Sequence, residues 1–208
     1  MRDLITSPVR KLRSKGAWEE PASINDVIVV HEVKLALSDW FKVTDKSKQV
    51  IVGSLARSYW LIPEVCQLLG FLVDDQESLP LGELEGFELR VNRAASRYYL
   101  HKKTGVSFTA YHALYENSVY ATMSSVLQAK ISEEAKLVGG LRVATPEALI
   151  CLHGFWMNHQ NKAYISSLCN RLGPIALPER LEPWLDAMGK VPSEPLRSFL
   201  MKEGWTNG

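Results

Sequence analysis

Four groups of residues in this chain have the types and spacing to do chemistry. Gly53-Ser54 ends the apolar run Val50-Ile51-Val52 and opens a short helical pattern. A glycine and a hydroxyl at such a place can hold a phosphate on backbone amides, and the same pair also makes a tight strand-to-helix turn with no ligand. Arg57 projects near that turn, where it either meets an anion or stands as a surface charge. Asp74, Asp75 and Glu77 are the acids closest to the next apolar run. They follow the run instead of sitting inside it, and adjacent aspartates point to opposite faces, so they read first as a turn. Tyr98, Tyr99, His101, Lys102 and Lys103 mix aromatic rings with positive charge. A strand end of that composition either stacks and holds single-stranded nucleic acid or is a solvated hairpin. Arg10, Lys11, Arg13 and Lys15 form a basic stretch near the start, either a solvated terminus or a contact for nucleic acid or an acidic partner.

Other chemistries find little support. Cys66, Cys151 and Cys169 each sit in an apolar context and none forms a CxxC pair, which fits buried thiols in a reducing compartment. His31, His101, His112, His153 and His159 are scattered, and His153 and His159 are badly spaced for one helix face, so no metal site is expected. No Gly-x-Ser-x-Gly elbow occurs. Lys+Arg and Asp+Glu nearly cancel, at 24 against 23, so net charge does not argue for nucleic acid or an anionic membrane. The first twenty residues hold no apolar stretch fit for a signal peptide, and no run approaches the length of a membrane span. The expectation is a cytoplasmic protein with no membrane partner.

Patterning places these residues on elements. Ser23 with Asp26 three residues on is a capping box, and apolar residues from Val27 to Phe41 recur at helical spacing, predicting a helix over 24–42. A strand at 50–52, a short helix at 55–60 and a second buried strand at 68–73 follow. Residues 87–91, 97–101 and 106–111 alternate as strands, the last two joined as a hairpin. A helix is expected at 118–130 and a strand at 141–143. Thr145-Pro146-Glu147 is a strong helix start, with a hydroxyl cap, proline at the first position and an acid in the first turn. Helices at 146–157, 161–172, 179–188 and 193–203 complete the chain. The division expected is a flexible basic tail at 1–22, an α/β core at 23–144 and a C-terminal helical region at 145–208 packed on it.

The stretch from Ile51 through Gly53-Ser54-Leu55-Ala56 and Tyr59-Trp60 to Pro63, followed by the strand at 68–73, resembles the nucleotidyltransferase superfamily, in particular its abortive-infection toxin branch. Leu141-Arg142-Val143-Ala144-Thr145-Pro146-Glu147 resembles the same branch's late strand leading into a proline-started helix. The resemblance implies a nucleotidyltransferase-like α/β (α+β) fold, a mixed sheet flanked by helices with a C-terminal helical portion. It implies a nucleotide phosphate at Gly53, Ser54 and Arg57. It also implies two acids on the strand after the turn and a third on a later strand, together binding magnesium ions.

Those acids are missing. Ungapped, the first two positions fall on Leu68 and Gly70, the third falls near Ser107 or Thr109, and a Lys-Asp step common in the following helix corresponds to Lys162-Ala163. Leucine and glycine cannot coordinate magnesium, so no catalytic residue and no cofactor are expected. The leading expectation is a degenerate nucleotidyltransferase-like protein that binds a nucleotide or a protein partner in a regulatory role, with a toxin–antitoxin or phage-defence setting implied by the resemblance. Two alternatives stay open. One is an active enzyme using magnesium, a nucleoside triphosphate and displaced acids at Asp74, Asp75 or Glu77. The other is a nucleic-acid-binding module built on Arg10, Lys11, Arg13, Lys15, Lys102 and Lys103, whose binding would fall steeply with salt.

Overall fold

The computed structural model describes residues 21–61, 63, 65–66, 68–91, 97–112, 123–173 and 177–205. Its centre is a seven-stranded mixed sheet of order β3-β4-β5-β2-β1-β7-β6, with helices on both faces. The strands are β1 (Gln49–Val52), β2 (Leu68–Val73), β3 (Phe87–Val91), β4 (Arg97–His101), β5 (Ser107–Tyr111), β6 (Lys136–Val138) and β7 (Leu141–Val143). The helices are α1 (His31–Val43), α2 (Gly53–Trp60), α3 (Ser125–Glu134), α4 (Pro146–Gly154), α5 (His159–Leu172), α6 (Leu177–Met188) and α7 (Lys190–Lys202). Strand β1 is antiparallel to β2 and parallel to β7, whereas β2 is parallel to β5. These central strands are buried on both faces, which is why they read as continuous apolar runs without alternation.

Helix α1 covers one face. Its buried residues Val33, Ala36, Leu37 and Trp40 recur at helical spacing. The Trp40 ring lies nearly parallel to Phe108 at 4.8 Å between centroids and to Phe71 at 5.6 Å. Phe87 meets it edge-on and Tyr99 at a tilt, so four strands converge on one indole. The indole Nε1–H donates to Gln49 Oε1 at 2.9 Å, in a site where Gln49 is 2% exposed. The opposite face is covered by α2, α3 and α4, and α5, α6 and α7 pack behind them. One continuous buried cluster runs from Ile24 to Leu200, so the C-terminal helices share the core of the sheet.

Two side chains pin the ends of β1. Arg142 on β7 donates to the carbonyls of Ser47 and Ser132 and pairs with Asp74 at 2.6 Å. At the other end the Trp60 Nε1–H donates to the carbonyl of Ala144 at 2.7 Å, tying the end of α2 to the residue that leaves β7.

The expected helix over 24–42 is two pieces. The Ser23–Asp26 capping box forms, yet it caps a single 3-10 turn at Ile24–Asp26, and α1 begins only at His31. The intervening Val27-Ile28-Val29-Val30 is four β-branched residues in a row, whose restricted side chains crowd a helix. Strand β6 was not expected, because Lys136-Leu137-Val138 follows directly on α3 with no break that marks a new element. Gly139-Gly140, with φ of 57° and 80°, turns β6 into β7 and is the signal that marks it. The helix expected at 118–130 is α3, starting at Ser125, and residues 113–122 lie outside the described residues. The expected basic tail, with Arg10, Lys11, Arg13 and Lys15, lies outside them as well.

Replacing the clamped indole should be expensive. Trp40→Ala is expected to cost about 3–5 kcal/mol in urea unfolding, the range for large aromatic truncations in a core. Val191→Ala, at a position 82% exposed, should stay within about 0.5 kcal/mol of the parent.

Candidate functional site

The end of β1 builds the candidate site. Val52 is extended, and Gly53 turns the chain into α2 with φ of 67°, a conformation costly for any residue with a Cβ. Gly53 and Ser54 are thus the first residues of α2, not a loop ahead of it. The Ser54 hydroxyl donates to the carbonyl of Leu68 at 2.9 Å. Its proton is therefore spent on holding α2 against the start of β2. Arg57, one turn along, lays its guanidinium 3.9 Å from the centre of the Tyr164 ring on α5, a cation–π contact between helices.

The parallel pairing of β2 with β5 sets Leu68 opposite Ser107 and Gly70 opposite Thr109. The positions where the resemblance expects three acids are therefore neighbours on adjacent strands, beside the Gly53-Ser54 turn. None carries a carboxylate. A Cβ built on Gly70 would lie 3.2 Å from Val52 Cγ2 and 3.3 Å from Tyr111 Cε2. A side chain there would require Val52 and Tyr111, from the two flanking strands, to give by a few tenths of an ångström. Tyr111 is largely enclosed, and burial raises its phenol above the ordinary range. Leu68 by contrast is half exposed, and Val65 just ahead of it is 66% exposed. The mouth of the site is apolar.

Asp74, Asp75 and Glu77 do not join this group. Val52 pairs with Gly70 and Gln49 with Val73, so these acids follow the far end of β2, beside the start of β1. Asp74 lies six residue steps along the strand from Leu68, roughly 20 Å at about 3.3 Å per residue. Asp74 is engaged by Arg142. Asp75 caps a 3-10 turn at Gln76–Ser78, accepting from the Ser78 amide and hydroxyl, and these bonds, with help from Lys48, hold its carboxyl below the usual range. Among the described residues no three His, Cys, Asp or Glu side chains converge in a way that could hold a metal ion.

Lys102 and Lys103 are exposed in the β4–β5 turn; of the aromatic residues before them Tyr99 and His101 turn inward, while Tyr98 is half-buried on the other face of β4. Tyr99 is 3% exposed and its hydroxyl is bonded to the carbonyls of Pro80 and Gly82. His101 is equally buried, between Thr104 and Asp39. Of the three rings, only Tyr98 is left partly open to solvent. The three cysteines are free and buried, with burial pushing the Cys151 and Cys169 thiols up to about 12.

Sequence reasoning missed His153. It sits on α4 against Tyr164, its ring 5.4 Å away, and close enough to Arg57 to feel its charge. Asn161 spends its Nδ2 on the Trp156 carbonyl, so its Oδ1 accepts from His153 Nδ1–H at 3.1 Å. Nε2 is enclosed without a hydrogen-bond partner. Burial, reinforced by Arg57, pushes the imidazole down to about 4, against the opposing pull of Asn161.

No family model matches the chain, and no curated protein is similar to it in sequence. Among solved structures it is similar to an antigenic nucleotidyltransferase-like protein from Paracoccidioides brasiliensis, at 13% identity and a TM-score of 0.41, over 87% of this chain and 88% of that one. No helix of the described residues is long and apolar enough to cross a membrane.

Two predictions follow from the packing. Gly70→Asp should destabilise by about 1–3 kcal/mol through overpacking, and adding Tyr111→Ala should recover part of the loss, both read by urea unfolding. For His153 the folded pKa lies below the ordinary 6.5, so the unfolded chain binds more protons between those values. Stability is fully present above pH 6.5 and falls as pH drops towards about 4, by up to about 3 kcal/mol from this group. Urea titrations across that window should show the slope, and His153→Gln should flatten it.

Proposed function

We propose that this chain is a catalytically degenerate protein of nucleotidyltransferase-like design that works by binding a protein partner, in a regulatory role, and transfers nothing. The observation that carries this reading is the crowded, acid-free position at Gly70. The three strand positions that would hold magnesium adjoin one another beside a glycine-serine turn, yet none carries a carboxylate, and at Gly70 Val52 and Tyr111 crowd any Cβ. The Ser54 hydroxyl is committed to the Leu68 carbonyl, which counts against its use as a phosphate donor. Exposed Val65 and Leu68 at the mouth suit an apolar protein surface better than a magnesium triphosphate. A toxin–antitoxin or phage-defence setting follows from the sequence resemblance alone.

The active alternative has little to work with. Asp74 and Asp75 lie at the other end of β1 and are held in an ion pair and a helix cap. The nucleic-acid alternative keeps Lys102 and Lys103 but loses two of its three rings, Tyr99 and His101, to the core.

Calorimetric titration of the full chain with each nucleoside triphosphate, with and without magnesium, tests the proposal. We expect no magnesium-dependent binding and no transfer of label from an α-labelled triphosphate. Magnesium-dependent binding or transfer that disappears in Asp74→Ala or Asp75→Ala would sink the reading and establish an enzyme.

A further inference from the structure

Away from the Gly53-Ser54 turn, the β4–β5 hairpin and α1 set a hydroxyl, an imidazole and a carboxylate in a row. The backbone of the hairpin fixes the first two. His101 ends β4 opposite Phe87, its amide donates to the Val106 carbonyl at 2.8 Å, and the Gly105 amide returns to the His101 carbonyl at 2.8 Å. Gly105, with φ of 73°, takes the left-handed conformation that so tight a turn needs. Thr104 is thereby folded back over His101, and its Oγ1 lies 2.8 Å from His101 Nδ1.

The other ring nitrogen faces α1, with His101 Nε2 3.3 Å from Asp39 Oδ2. Lys42, bonded to Asp39 Oδ1 at 2.7 Å, and then His101 hold the Asp39 carboxyl below its usual range, against the opposing pull of burial. An ionised carboxylate only accepts, so the imidazole proton belongs on Nε2. Nδ1 then keeps its lone pair, and the bond to Thr104 runs from hydroxyl to imidazole. The buried His101 ring rests against Phe87, 5.0 Å between centroids, which keeps it in that orientation. The Val106 amide also reaches Thr104 Oγ1, at a long 3.4 Å, and a hydroxyl oxygen has a second lone pair to spare. Thr104 is half-buried between exposed Lys103 and exposed Gly105, so the turn is open to small reagents. Lys102 and Lys103 put positive charge in the same turn, the sign that favours an oxyanion. A hydroxyl, a base within hydrogen-bond reach and a group that orients the base are what turn a weak oxygen into a nucleophile.

We propose that Thr104 is a modification site that accepts an acyl group from a small activated ester. Thr104 Oγ1 bonds to the ester's carbonyl carbon as His101 Nδ1 takes the hydroxyl proton. The bond from that carbon to the leaving oxygen then breaks, and the imidazolium gives the proton to the departing alkoxide. The products are an ester on Thr104 and a free alcohol. Asp39 is a positioning residue, which fixes the tautomer of His101 and balances the charge of the imidazolium. The chain is the acceptor here, so the site is independent of the reading given to the Gly53-Ser54 turn, and either can fail without the other.

The test is incubation of the full chain with p-nitrophenyl acetate, followed by nitrophenolate release and by peptide mass mapping. An acetyl group on Thr104 is expected, removable by hydroxylamine as an ester is and a lysine amide is not. Thr104→Val should abolish this label and Thr104→Ser should keep it. His101→Gln should slow it about a hundredfold, the low end for a general base, and Asp39→Asn should slow it by less. Label confined to lysines overturns the proposal, as does equally fast labelling of Thr104 in a His101→Gln variant that keeps the parent's melting temperature. Nitrogen NMR of the unaltered chain in mildly alkaline solution decides without any variant. His101 should carry its proton on Nε2 with Nδ1 bare, and Asp39→Asn should mix the two tautomers. A proton on Nδ1 in the unaltered chain overturns the assignment of His101 as the base.

Discussion

The Trp40 indole is the contact on which the rest of the architecture leans. It joins α1 to β2 and β5 through Phe71 and Phe108, to β3 and β4 through Phe87 and Tyr99, and to β1 through Gln49. A strand has a period of two, so a one-residue slip of β2 would throw Phe71 to the other face and break the stack. The aromatic layer thus supplies the register that an all-apolar strand does not mark by itself. That register, in turn, puts Gly70 beside Thr109 and Leu68 beside Ser107. The Gln49 contact adds direction, because a buried indole N–H left unpaired would cost about 1–3 kcal/mol.

Much of this was legible in the amino-acid order, and the failures have identifiable causes. Strands β2, β3, β4 and β7 lie where their apolar or alternating patterns put them, and the Thr145-Pro146-Glu147 start of α4 behaves as its cap and proline dictate. The first helix failed because two local signals disagreed. The capping box at Ser23 is real, but the β-branched run behind it did not continue the helix. At the site, the sequence sets Leu68 and Gly70 where the resemblance expects acids, and only packing could show that a Cβ at Gly70 would crowd Val52 and Tyr111. His153 was invisible for a related reason: its surroundings come from α2 and α5, distant in sequence, and nothing near it in the chain marks an enclosed imidazole.

The polar groups most exposed to functional interpretation turn out to hold elements together. Ser54 anchors α2 to β2, Asp74 completes the Arg142 staple, Asp75 caps a turn and Arg57 bridges two helices. Each is a group whose chemistry is defined by a neighbour inside the fold.

The margins of the sheet carry a consequence of their own. Strand β6 is only three residues long, begins with a lysine and ends in a glycine pair, while β3 at the other margin displays a Glu88–Arg90 ion pair. Brief, charged margins make poor templates for an incoming strand. Among the described residues, self-association by sheet extension is therefore discouraged at both margins. Stable assemblies of this molecule would have to form through its helical surfaces or through the apolar mouth at Leu68.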